Sequence, residues 1–160
     1  MKRASQLKAK LGLLQLKYDD PEANFDRKKV KGFVAQLVKV HDISTATALE
    51  VAAGSRLYQV VVDSAATSKK LLERGNIKKR VTIVPLDMID TKCLSSEVIR
   101  KAETIGGKQN VKLALELVGY DREVENAMRY VFGKTLICTD LDVARKVTYH
   151  NDIRARSVTL

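Results

Sequence analysis

The stretch FGKTLI at 132–137 is the nearest this chain comes to a nucleotide-binding motif, because Gly133, Lys134 and Thr135 match the end of a phosphate-cradling loop. Such a loop wraps consecutive backbone N–H groups round phosphates, so it needs an earlier glycine in a fixed place and a helix after it. Met128 stands where that glycine belongs, NAMRYVF before the triplet reads as a helix, and TLIC after it reads as a strand. The triplet is therefore a helix stop followed by a strand start. GGKQN at 106–110 lacks the Ser or Thr that should follow the lysine and reads as a helix-ending loop. KGF at 31–33 begins like an RNA-recognition motif, but VAQL follows where base-stacking aromatics belong.

The other candidates for chemistry do not converge along the chain. His41 and His150 are far apart and suit helix ends. Asp87 with Asp90, and Asp140 with Asp142, have the spacing to hold a cation or share a proton, yet each sits where turn and cap residues are expected. Cys93 and Cys138 are the only cysteines and have no histidine beside them, which favours two ordinary thiols over a metal site or a disulfide framework. No catalytic residue, metal or cofactor is expected.

Charge is the stronger signal. The 160 residues hold 29 Lys and Arg against 19 Asp and Glu, a net charge of +10, so a polyanion is the first partner to consider. The excess is clustered. Arg27, Lys28, Lys29 and Lys31 form one group, and Lys69, Lys70, Arg74, Lys78, Lys79 and Arg80 form another that only Glu73 opposes. A solvated helix face would alternate signs, as DREVEN at 121–126 does. Aromatic residues are only 5% of the chain, with no tryptophan, which argues against an extensive base-stacking platform.

Such residues must be placed by a fold, and 45% hydrophobic content in 160 residues is enough for one core or two small ones without staples. No apolar run is long enough for a membrane span, and MKRASQLKAK lacks a secretory apolar segment, so an intracellular protein without a membrane partner is expected. Leu7, Leu11, Leu14 and Tyr18 carry a heptad rhythm that DDP at 19–21 stops. Two heptads fit either the end of a longer coiled coil or a helix docked on its own domain. Beyond residue 30 strands and helices alternate: VKGFVAQLVKV reads as a strand, HDISTATALEVAAG as a helix with Asp42 or Ser44 as cap, and LYQVVVD as a buried strand. A helix capped by Ser64 and stopped by Gly75 follows, then the strand RVTIVPL and the helix SSEVIRKAETIGG. The pattern restarts with the strand VKLALELV, the helix REVENAMRYVF, the strand TLIC, a helix capped by Asp140, and a last strand near ARSVTL. An α/β (α+β) fold of two subdomains follows, covering about 30–90 and 110–160, with a bridging helix at about 95–107, a linker at 21–29 and a coiled-coil end at 1–20.

VKGFVAQLVKV, ATALEVAAGSRLYQVVVD, RVTIVPLD, LVGYDREVENAMRYVFGKTLICTDLDVARKV and RSVTL, taken together, resemble the hinge domain of structural-maintenance-of-chromosomes (SMC) proteins. With LKYDDPEANFDRKKVKGFVAQL ahead of them, they resemble most closely the hinge of the second SMC subunit of animal condensin. The resemblance covers nearly the whole chain and explains FGKTLI, since a G-x-T-L-hydrophobic step with no nucleotide belongs to the hinge pattern. It implies a non-catalytic, two-lobed dimerisation domain at the tip of a long coiled-coil arm, pairing with the hinge of the other condensin SMC subunit as a heterodimer. It also implies DNA binding, single strands favoured, in chromosome condensation, with residence in the nucleus, on chromosomes and in the cytoplasm. The ATP-binding heads of such proteins are built from chain ends that this sequence lacks, and family hinges continue past VTL into a glycine-rich segment that contributes to pairing.

The expected pairing edges are Val81, Thr82, Ile83 and Val84 in one strand and Arg156, Ser157, Val158 and Thr159 in the other. The expected DNA surface is Lys28, Lys29, Lys31, Lys69, Lys70, Arg74, Lys78, Lys79 and Arg80, joined by Arg154 and Arg156. Two rivals stand beside this reading. One is a dimerisation module whose charge serves only solubility or steering, and the other a small α/β enzyme that uses the cations to hold a phosphorylated substrate.

Overall fold

The computed structural model describes residues 16–78 and 80–160; Leu7, Leu11 and Leu14 of the heptad rhythm, and Lys79, lie outside them. Two compact units result, one from Met1–Leu37 with Leu57–Ile89 and the other from Val38–Arg56 with Asp90–Leu160. Strands and helices are numbered along the whole chain.

In the first unit β1 (Val30–Phe33), β3 (Val60–Val62) and β4 (Ile83–Pro85) form a sheet in the order β1-β3-β4, antiparallel between β1 and β3 and parallel between β3 and β4. The triple valine of β3 is the central strand and its three residues are fully buried, as an apolar run covered on both faces should be. VKGFVAQLVKV does not continue as one strand. Gly32 takes a φ of 115° where the β1–β3 register slips, and the chain then turns through the short helix α1 (Val34–Leu37). Glycine tolerates that positive φ because it has no Cβ. Helix α3 (Ala65–Arg74) starts where Ser64 Oγ accepts from the Thr67 N–H and stops at Gly75, as its cap residues predict. Thr67 and Leu71, one turn apart, are its buried positions.

The core of this unit is Phe25, Phe33, Val60, Val62 and Leu71, with Leu16, Tyr18 and Ile83 packed against it. Residues 21–29, expected as a linker, are part of this packing. Pro21 and Phe25 are buried, and Asp26 caps a 3-10 turn at Arg27–Lys29 by accepting from the Lys28 N–H.

In the second unit β5 (Val111–Leu113), β7 (Thr135–Cys138) and β8 (Arg156–Thr159) form a sheet in the order β5-β7-β8, with β7 antiparallel to β5 and parallel to β8. All four residues of β7 are buried. VKLALELV breaks after three residues into a 3-10 turn at Ala114–Leu117, because Leu113, Ala114 and Leu117 suit a turn's spacing as well as a strand's. Helices α5 (Glu125–Phe132) and α6 (Leu141–Thr148) flank β7, and Asp140 caps α6 by accepting from the Val143 N–H.

Residues 38–56 correct the expected contiguous subdomain of 30–90. Strand β2 (Lys39–Val40) pairs with β6 (Val118–Gly119), while α2 (Ala46–Ala53), begun by a 3-10 turn that Asp42 caps, packs on α5, β7 and β8. Ala48, Ala52 and Ala53 keep the buried face of α2 small enough for that close approach. The expected bridging helix is α4 (Ser96–Gly106), and it packs on β5 and α6 within the second unit. Its last residue is sterically fixed. A Cβ at Gly106 would lie 2.6 Å from Val111 Cγ2 and 2.8 Å from Val143 Cγ1. Gly106→Ala is expected to lower stability by about 1–3 kcal/mol through overpacking, read as a lower urea midpoint.

Candidate nucleic-acid interface and pairing edges

The residues that resembled catalytic or phosphate-binding groups have local structural work. Asp87 Oδ1 accepts from the Ala65 N–H at 2.9 Å at the start of α3. Lys134, the lysine of the GKT triplet, is ion-paired with Asp90 at 2.9 Å, so its ammonium is directed to a carboxylate of its own unit. The Lys92 backbone N–H and Lys134 hold the Asp90 carboxyl below its usual pKa. A folded-state pKa below the unfolded one contributes stability that is present above the ordinary carboxylate pKa and lost as pH falls through the folded value. Lys134→Met is therefore expected to raise the Asp90 pKa toward the ordinary range, seen by carboxyl-carbon NMR titration, and to shift the acid-unfolding midpoint upward.

His41 lies over Gly119 in the β2–β6 ribbon, where a Cβ at 119 would come within 2.7 Å of the imidazole. His150 follows α6, and its Nδ1 accepts from the Asp152 N–H at 3.2 Å. Beside it a shallow groove of about 660 Å³ includes Glu97, Arg100, Lys101, His150 and Asp152. Lys101 pairs with Asp152 at 2.6 Å and depresses its pKa, which keeps that carboxylate ionised rather than poised for proton transfer. Among the described residues no group of three or more His, Cys, Asp or Glu could hold a metal ion. No helix among them is long and apolar enough to cross a membrane.

The two basic clusters both fall in the first unit. Lys28 and Lys29 lie on the 3-10 turn, Lys31 half-buried on β1, Lys69, Lys70 and Arg74 on α3, and Lys78 and Arg80 on the chain leading to β4. The burial of Thr67 and Leu71 turns the lysines of α3 outward, so the amphipathic pattern that builds the core also displays the charge. Lys79 lies outside the described residues. Arg154 and Arg156 belong to the second unit. The Arg156 guanidinium donates to the carbonyls of Val51 and Ala52, both at 3.2 Å, and so caps the C-terminal end of α2. Its role is to tie α2 to β8, which sequence position alone did not reveal.

Sequence reasoning also missed the acidic segment between the clusters. Asp20 pairs with Arg27 at 2.9 Å, Glu22 pairs with Lys70 at 3.0 Å, and Arg27 stands over the Tyr18 ring at 5.0 Å. DDPE at 19–22 in a strongly basic chain is the available signal, of which the DDP part also serves as a helix stop. Lys28, Lys29, Lys69, Arg74, Lys78 and Arg80 make no ion pair among the described residues.

Both expected pairing strands lie at sheet edges among the described residues. On β4 the Thr82 carbonyl accepts from the Val60 N–H and the Leu86 N–H donates to the Val62 carbonyl. Strand alternation then turns the backbone groups of Val81 and Ile83 away from β3. Pro85, which has no N–H, shares their outward register, where a proline breaks no ladder bond. On β8 the Leu160 N–H donates to the Cys138 carbonyl, so the same alternation turns Ser157 and Thr159 outward. Each unit thus presents one edge with backbone donors and acceptors of its own.

Small α/β units that each carry such an edge are suited to pairing with a second chain. Residues 27–148 match the family described as the SMC proteins Flexible Hinge Domain, and the chain belongs to that family. It is 52% identical over 154 residues to structural maintenance of chromosomes protein 2-1 of Arabidopsis thaliana and 49% identical over 154 residues to structural maintenance of chromosomes protein 2 of Homo sapiens. Each alignment takes in 96% of this chain and 13% of the relative, so the chain spans about an eighth of the length of the curated relatives it matches. The likeness to structural maintenance of chromosomes protein 2 is shared by plant and animal sequences alike.

Among solved structures, the fold matches an asymmetric dimer of the Geobacillus stearothermophilus SMC hinge domain with a TM-score of 0.69 at 26% identity, over 96% of this chain and 56% of that one. It matches the Pyrococcus furiosus SMC protein hinge domain with a TM-score of 0.59 at 27% identity, over 88% of this chain and 73% of that one. The α/β hinge fold expected from the sequence is therefore the fold of this chain.

Proposed function

We propose that this chain pairs with the hinge of the other condensin SMC subunit through the outward edges of β4 and β8, and that the basic face of its first unit holds DNA during chromosome condensation. The observation that carries the pairing is the placement of both strands at sheet edges, each with outward backbone groups at alternate residues. The dimeric Geobacillus hinge supports the same reading. Pairing of this kind needs no catalytic group, and the assignment of Asp87, Asp90, Lys134 and Asp140 to caps and ion pairs agrees with a non-enzymatic joint.

The DNA reading rests on Lys28, Lys29, Lys69, Arg74, Lys78 and Arg80, which carry charge on one unit with no ion-pair partner among the described residues. Phosphate contacts of this type are indifferent to sequence and weaken steeply with salt, because they gain from counterion release. Single strands are favoured because their flexible backbone follows an irregular basic surface more easily than a duplex does. A role on chromosomes would put the protein in the nucleus, with a cytoplasmic pool.

Mixing the chain with the other condensin SMC hinge should give a 1:1 complex in light scattering. Two separate monomers at micromolar concentration would defeat the pairing. Fluorescence anisotropy of labelled single-stranded and duplex oligonucleotides, with and without that hinge and across a salt series, tests the DNA part. Absence of binding in every arm would leave a dimerisation joint whose charge serves steering.

A further inference from the structure

The acidic segment 19–22 lies against both basic clusters. Asp20 Oδ1 accepts from Arg27 Nε at 2.9 Å, and both carboxylate oxygens of Glu22 accept from Lys70 Nζ, at 3.1 and 3.0 Å. Arg27 belongs to the cluster on the 3-10 turn, and Lys70 to the one on α3. The segment is held in place by its backbone as well. The Asp19 N–H donates to the Gly75 carbonyl at 2.8 Å, and Asn76 Nδ2 donates to the Asp19 carboxylate at 3.2 Å. Buried Pro21 fixes the turn between the two carboxylates. Tyr18, packed on the core just before the segment, and Phe25, buried just after it, meet edge-on with ring centres 6.4 Å apart.

We infer that Asp20 and Glu22 form an internal acidic strap that competes with nucleic-acid phosphates for Arg27 and Lys70. The inference rests on the DNA reading given above. A carboxylate and a phosphate present the same oxygen acceptors to an ammonium or guanidinium, and one cation cannot serve both fully. The two ion pairs are half-exposed, with side chains 39–63% accessible, so water and phosphate can reach them and each contributes only weakly to stability. A polyanion that engages neighbouring Lys28, Lys29, Lys69 and Arg74 together can displace such weak internal pairs, whereas a single phosphate ion cannot gather enough contacts to do so. Linkage makes the effect reciprocal: nucleic acid loosens the strap, and a tightly held strap weakens nucleic-acid binding.

The test compares the unaltered chain, the double variant Asp20→Asn/Glu22→Gln and a control of equal charge change, Glu116→Gln/Asp142→Asn, whose exposed carboxylates lie in the other unit. The probe is a labelled oligothymidine, read by anisotropy across a salt series. The strap variant should bind several-fold more tightly than the control, and its salt slope should steepen by up to about 1.4, the contribution of two freed cations at about 0.7 each. Binding by the strap variant where the unaltered chain binds none would support the inference as well. Equal affinity in strap variant and control, with clear binding by the unaltered chain, would overturn the strap and leave the DNA reading standing. No binding by any of the three would overturn both. An independent reading needs no variant: oligothymidine should speed hydrogen exchange at the Asp19 amide, and slowed or unchanged exchange there, with the oligonucleotide bound, would overturn the strap.

Discussion

Reversing two charges, Lys78→Glu with Arg80→Glu, is expected to weaken single-stranded oligonucleotide binding by about 25-fold at roughly 0.1 M salt and to flatten the salt slope by about 1.4. Both side chains are exposed on the segment leading to β4, and neither makes an ion pair among the described residues, so their replacement breaks no ion pair described there. The size follows from counterion release. Each phosphate contact on a single strand contributes about 0.7 to the slope, hence about fivefold in affinity at roughly 0.1 M salt, and two contacts multiply. Repulsion from the new carboxylates adds to the loss. Arg145→Glu with Lys146→Glu on α6 of the other unit makes the same net change and serves as the reference. If it weakens binding equally, bulk charge and not the first unit's surface carries the affinity. Anisotropy at several salt concentrations separates the two outcomes.

Leu71→Ala is expected to destabilise the first unit by about 3–4 kcal/mol. Leu71 is fully buried and packs with Phe25, Phe33, Val60 and Val62 in the core that holds β3 beneath α3. Truncation removes its contacts and leaves a cavity that β3, itself wholly buried, cannot move to fill. The same helix carries Lys69, Lys70 and Arg74 on its outer side, so loosening it also disperses the proposed DNA surface. Urea unfolding should show the first unit's transition at lower denaturant, and oligonucleotide affinity should fall under conditions where the second unit remains folded. Retention of full stability would mean that the core closes round the missing side chain.

The sequence by itself determined the elements whose signals are local. Ser64, Ser95 and Asp140 start helices because each has a side-chain oxygen that accepts a free N–H of the first turn, and Gly75 and Gly107 follow the ends of the helices begun by Ser64 and Ser95. VVV and TLIC are legible as strands because short runs of β-branched and apolar residues suit a strand covered on both faces. The clustering of charge was legible for the same reason, since it depends on adjacency in sequence.

The tertiary structure decided what depends on residues distant along the chain. VKGFVAQLVKV has strand composition throughout, but the turn at Val34–Leu37 sends Lys39 and Val40 to pair with Gly119 and Val118, a partnership no local pattern encodes. The boundary between units therefore falls inside residues 30–90 and not after them. Arg156 looked like one more cation for DNA until the carbonyls of Val51 and Ala52, more than a hundred residues away, proved to hold it. DDP at 19–21 reads as a helix stop, and only folding set Asp20 and Glu22 beside Arg27 and Lys70. Composition fixes how much charge a chain carries, but whether a cation is available to a partner depends on which carboxylate or carbonyl the fold brings within about 3 Å of it.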